Sequence, residues 1–149
     1  MKGVATINET TGLTDAYQAA MALEPQIKSV LAGASRNVKD LFDLTIPLRP
    51  VQFWTPLYLI QLRTLCESMY MLAAYHRKEI AAMHEEDFKT AAHYNKLAST
   101  KLPMVRQLQA TLQLTPTMIH GQAQKHVGTT KAAMAVHAIL DDVNELYAQ

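Results

Sequence analysis

The sequence predicts an all-α fold: an antiparallel hairpin of two long helices, preceded by short helices and followed by a C-terminal one. Apolar residues recur at helical spacing over 56–83 and again over 88–114, each stretch opening with a residue suited to capping a helix. No stretch alternates apolar and polar residues as a half-buried strand does, and no repeat of about 20–50 residues is present. Five Gly and six Pro in 149 residues leave room for long regular elements, and a hydrophobic content of 49% is enough for one core.

Residues 1–13 are small and polar, ending in Thr10-Thr11-Gly12, and read as a loose arm. Residues 14–46 form short N-terminal helices. Thr14 and Asp15 can cap a helix from Ala16 to about Glu24, because their oxygens accept from the orphan amides of a first turn. Pro25 interrupts it and starts a second helix, Gln26 to Ala32, closed by Gly33. A third runs from Ser35 to Leu44 and carries Arg36 and Lys39. Pro47 and Pro50 mark an extended connector.

The core of the fold is expected over 47–121. Thr55 is a good N-cap and Pro56 is pre-set for a first helical position, so a helix runs to about Met83, roughly 42 Å long. Leu59, Leu62, Cys66, Met69, Ala73 and Ile80 share one stripe, which Leu65 and Leu72 widen. Between Met69 and Tyr75 the helix is apolar nearly all round, which points to neighbouring subunits covering it.

His84 to Asp87 form a turn whose carboxylates favour the next helix start. Phe88, Ala91, Ala98, Leu102, Val105, Leu108 and Leu112 continue an apolar stripe, with a kink or break expected at Pro103. Thr115-Pro116 opens a short segment ending near Gly121. Residues 122–149 contain a last helix, Lys131 to Ala148, capped by Thr129 or Thr130.

Charge is segregated along the chain. From Phe88 to Leu140 there is no Asp or Glu, yet Lys89, Lys96, Lys101, Arg106, Lys125 and Lys131 fall there. The net charge of +1 therefore hides one segment with six unopposed cations, and the remainder is net acidic. A one-signed surface of that length attracts polyanions, and DNA or RNA is the first partner to consider. Lys89, His93 and Lys96, four and then three residues apart, share a helix face; Lys101 and Arg106 extend it only if Pro103 redirects the chain. The acid-free half holds only two aromatics, Phe88 and Tyr94, so phosphate contact on a duplex fits better than base stacking on a single strand.

Catalysis finds no support. Cys66 sits among Leu62, Leu65 and Met69 and reads as a core residue; as the one cysteine it forms no intrachain disulfide, and a reducing, intracellular setting follows. His84, Glu85, Glu86, Asp87 and His93 lack the spacing of a metal motif. Gly128 to Lys131 resembles the end of a phosphate loop without its first glycine. His120, His126 and His137 can add positive charge only near pH 6. No cofactor or metal is expected, and no apolar run is long enough to span a membrane.

Two stretches resemble the small subunit of tailed-bacteriophage DNA-packaging terminases. One runs from Phe53-Trp54-Thr55-Pro56-Leu57 through Leu62-Arg63-Thr64-Leu65-Cys66-Glu67-Ser68; the other is Leu108 to Leu112 followed by Gln113-Leu114-Thr115-Pro116. Gln113 replaces the family's usual Gly, and Met118-Ile119-His120 stand where a Ser-x-Arg pattern is common. The resemblance implies a non-enzymatic homo-oligomeric ring of about eight to twelve subunits, closed by symmetry, in the cytoplasm of the infected host. It would bind the packaging-initiation site on double-stranded viral DNA and deliver it to the large terminase subunit, which carries the ATPase and nuclease. It also implies a helix-turn-helix, here a reduced one carrying Arg36 and Lys39. The oligomer contacts would then fall on Leu59, Leu62, Cys66, Met69, Leu72, Val105, Leu108 and Leu112. A dimeric DNA-binding regulator and a helical adaptor with no nucleic-acid role are the alternatives.

Overall fold

The computed structural model of the chain describes residues 21–125, and every regular element among them is helical. Helix α1 is described over 21–30, α2 spans Arg36–Thr45, and two 3-10 turns, Ile46–Leu48 and Val51–Phe53, lead into α3, Pro56–His84. Helices α4, Phe88–Thr111, and α5, Pro116–Lys125, complete the order. The expected arm, the helix start at Ala16 and the C-terminal helix Lys131 to Ala148 lie outside the described residues.

Helix α3 begins as its sequence dictates. The Thr55 hydroxyl accepts from the Tyr58 amide at 3.2 Å, and Pro56, with no N–H to satisfy, occupies the first turn. Its end is closed by Glu86 in the left-handed region at φ 57. That turn lets the Glu86 amide donate to the Met83 carbonyl at 3.1 Å and the Asp87 amide to the Ala82 carbonyl at 2.9 Å. Asp87 then caps α4, accepting from the Thr90 amide at 3.2 Å and the Thr90 hydroxyl at 2.7 Å. So short a connection obliges α3 and α4 to run antiparallel. Asn95, donating to Glu79 Oε1 at 3.1 Å, and the Tyr75–Tyr94 ring pair at 6.2 Å lie across the seam. Along α4 the buried residues Ala91, Ala98, Val105 and, just past its end, Leu112 recur every seventh position, the spacing of a coiled-coil seam.

The other elements pack on the open end of this hairpin. Val38, Leu41 and Phe42 of α2, Trp54 of the connector, and Leu114 and Ile119 around the start of α5 join the α3 residues Leu59 to Ala73 in one core. Trp54 donates from Nε1 to the Ile46 carbonyl at 2.9 Å, which fixes the connector. Arg63 ties α1 down: its Nη1 donates to the carbonyls of Val30, the last residue of α1, at 2.6 Å and of Ala32, just beyond it, at 2.8 Å, while Nε pairs with Glu67. Gly33, at φ 77, makes the turn between α1 and α2, and Ser35 caps α2 by accepting from the Val38 amide.

Several expectations are corrected by the fold. Helix α1 runs through Pro25, and α4 runs through Pro103 without a break. Each proline removes one intrahelical bond, but Pro25 and Met21, and likewise Pro103 and Ser99, are exposed, so water can reach the released carbonyls. Ile80 and Phe88 do not belong to the core: they are 39% and 62% exposed, because no described element covers the tip of the hairpin. Leu59, Leu62, Cys66, Met69, Leu72, Val105 and Leu112 are buried in the chain's own core, with Leu108 packed against it, and so are not on the surface to meet another subunit. Within the apolar belt of α3, Met69, Leu72 and Ala73 are buried by the chain's own elements, while Met71 stays exposed.

Candidate nucleic-acid interface

On the unbroken helix α4, Lys89, His93 and Lys96 fall on one face, four and then three residues apart. Lys89, His93 and Lys96 are exposed. Lys101 joins them: His93, Lys96, Leu97, Thr100, Lys101 and Met104, with Tyr75 of α3, line one hollow of about 540 Å³. Lys101, five residues beyond Lys96, is turned about 140° from it on the helix, so it borders the hollow from the other side and does not lengthen the stripe.

Tyr75 and Lys78 come from α3 and were not legible as part of this surface, since their placement depends on the register between two helices. The rings of Tyr75 and Tyr94 stack at 6.2 Å, the His93 ring meets Tyr94 edge-on at 5.4 Å, and Lys78 Nζ stands 5.4 Å from the Tyr94 centroid. A cation over a tyrosine face gains electrostatically from the ring quadrupole. The effect here is to hold Lys78 beside the α4 cations. The result is a shallow, largely apolar floor with ammonium groups around it, suited to phosphate oxygens passing over the rim.

Arg106 points elsewhere. It lines a separate concavity with Arg49, and so does not extend the lysine face. Arg36 and Lys39 are both exposed on α2, but Arg36 lies 3.5 Å from Asp40. Asp43 follows on the same helix, where burial first and the neighbouring Asp40 second push its carboxyl above the ordinary value. Two cations and two acids leave α2 without net charge, a weaker phosphate surface than α4. Lys125 ends α5, and Lys131, His126 and His137 lie outside the described residues.

Among the described residues no three His, Cys, Asp or Glu side chains stand close enough to hold a metal ion. Burial pushes the Cys66 thiol well above its ordinary value, partly offset by hydrogen bonding with Thr45, so it is not a thiolate nucleophile. No described helix is long and apolar enough to cross a membrane. Comparison with protein families, with curated proteins and with solved structures finds no match to this chain.

Proposed function

We propose that this chain is a non-enzymatic duplex-DNA-binding protein that acts as a terminase small subunit, assembling as a ring on the packaging-initiation site and passing the DNA to the large subunit. The observation that supports the DNA-binding part is the acid-free helix α4, where Lys89, His93 and Lys96 share a face and Lys101 borders the same hollow as His93 and Lys96. The terminase assignment rests on the sequence motifs around Thr55-Pro56 and Thr115-Pro116, and fold alone would not carry it.

Self-association, in this reading, uses surface residues and leaves the core intact. Leu57, Ile60, Thr64 and Met71 recur on one exposed face of α3, with Leu57 61% and Ile60 55% exposed. Such a contact between identical chains closes into a ring if the rotation permits. The α1–Gly33–α2 turn favours a second reading, a regulator that places α2 against DNA and works as a dimer.

Native mass spectrometry separates the two, a large closed oligomer against a dimer. Duplex binding measured across salt concentrations tests what they share, since counterion release makes phosphate-driven affinity fall steeply with salt. A monomer that ignores duplex DNA even at low salt would remove both and leave the helical adaptor.

A further inference from the structure

The closed tip of the hairpin and the hollow on α4 are complementary in chemistry, yet lie apart on the same chain. At the tip, Phe88 is 62% exposed and Met83 50%. Glu85, Glu86 and Asp87 stand beside them, three carboxylates against the one ammonium of Lys89. Asp87 is engaged in capping α4 through Thr90, whereas Glu85 and Glu86 are exposed and pair with no cation among the described residues. The hollow offers the reverse. Tyr75, Leu97 and Met104 supply its apolar floor, and none of its lining side chains is acidic. Neither Lys96 nor Lys101 pairs with a carboxylate among the described residues. A hollow of about 540 Å³ has room for one aromatic side chain, the usual anchor of a protein–protein contact.

The tip cannot fill the hollow of its own chain. Helix α4 is continuous from Phe88 to Thr111, so Phe88 and Leu97, nine residues apart, are held roughly 14 Å from each other along the axis. We infer that the tip of one copy docks in the hollow of a second copy. Phe88 is seated against Tyr75, Leu97 and Met104, and Glu85 and Glu86 meet Lys96 and Lys101. Tip and hollow are different surfaces, so the contact is heterologous and each copy keeps a free tip or hollow for the next. A contact this small is weak, and its exposed ion pairs are screened by salt. It is separate from the exposed α3 face around Leu57 and Ile60. It also covers two of the cations that the DNA reading uses, so duplex DNA and a second copy compete for the hollow, but the contact itself does not require that DNA bind there.

The test reverses the charge of each surface in turn, in full-length chains that all carry Leu57→Gln and Ile60→Gln so that the exposed α3 face does not contribute. Sedimentation velocity at high protein concentration and low salt, without DNA, reads the association. The parent should self-associate. Glu85→Lys with Glu86→Lys, and separately Lys96→Glu with Lys101→Glu, should each stay monomeric. An equimolar mixture of the two should associate again, because each supplies the charge the other has lost. None of the four positions is buried, and denaturation midpoints close to the parent's show that the fold is intact. Phe88→Ala, at an exposed position, should weaken association of the parent about tenfold. A parent that stays monomeric overturns the inference, as does association that persists in each reversed variant, a mixture that stays monomeric, or association unchanged in Phe88→Ala. Duplex titration of the parent is read separately: loss of the DNA reading with rescue in the mixture leaves this contact standing.

Discussion

The open end of the α3–α4 hairpin and its closed tip are built from the same two helices but have opposite surroundings. At the open end, Leu59, Leu62, Leu65 and Cys66 are no more than 1% exposed, enclosed by α2, α5 and the connector as well as by α4. At the tip, Ile80, Met83 and Phe88 are 39%, 50% and 62% exposed, and among the described elements the two helices have only each other. The cationic face begins at the tip with Lys89 and runs back toward the covered end as far as Lys101. Stability is thus concentrated at one end and the candidate binding surface begins at the other, so that each can be altered without destroying its counterpart.

Truncation in the two regions gives the largest expected contrast. Leu62→Ala removes a side chain with no exposed surface and should cost about 2–5 kcal/mol, through lost burial and the cavity left behind. Ile80→Ala removes a half-wet side chain and should cost under about 1 kcal/mol. Urea denaturation of both variants checks this. Similar losses would mean that the tip is covered in solution.

Arg63→Ala comes next. Losing two charge-assisted bonds from a partly exposed guanidinium to the carbonyls of Val30 and Ala32 should cost about 2 kcal/mol. Hydrogen exchange should show the amides of α1 opening before those of α3; if both accelerate together, α1 is held by its apolar contacts and Arg63 contributes little.

At the tip the effect is on binding. Changing Lys96 and Lys101 together to Ala should reduce the slope of log affinity against log salt by about 1.8 if each contacts one phosphate, with the denaturation midpoint unchanged. The same measurement on an Arg36→Ala, Lys39→Ala pair should give a smaller change, because Asp40 already pairs with Arg36. Equal changes would move the interface toward α2.

Much of the covered end was readable from sequence because its signals are local. Thr55-Pro56 specifies a helix start wherever it stands, and α3 begins there. The apolar stripe of Ala91, Ala98, Val105 and Leu112 likewise marks the side of α4 that faces in. What the sequence could not reveal depends on neighbours. Ile80 and Phe88 continue the apolar pattern yet lie past the reach of α2 and α5. Pro25 and Pro103 look like breaks, but both stand at exposed positions of continuous helices. Tyr75 and Lys78 enter the cationic surface through the pairing of two helices, and Arg49 reaches α4 from a connector 57 positions before Arg106. Gln113 is an instructive middle case: it stands where the related motif has Gly, and its backbone adopts φ 55, the left-handed conformation that Gly takes without strain. Its amide donates to the Ala110 carbonyl and the next amide to the Gln109 carbonyl, so the turn forms despite the side chain. Gln113→Gly should therefore stabilise the protein by about 0.5–1 kcal/mol. A loss on thermal unfolding would show that the Gln113 side chain matters more than the relieved strain.

The smallest effect distinguishes the two ends by pH. At the tip, Asp87 is held below its ordinary value of 3.8, mainly by the Thr90 hydroxyl and then by the Thr90 amide. A carboxyl whose folded value is lowered stabilises the fold above its unfolded value and loses that contribution as pH falls through the folded one. Its cap is therefore at full strength near neutrality and fades below about pH 4. Asp43, on α2 at the covered end, has the opposite sign: burial raises its value, so ionisation works against folding and the penalty eases as pH falls through the raised value. Asp87→Asn should flatten the acid side of the stability profile while keeping a capping oxygen at neutral pH. Asp43→Asn should instead remove a small penalty at neutrality and steepen the acid-side decline. If the two variants shift the profile in the same direction, the two carboxyls do not differ in electrostatic environment.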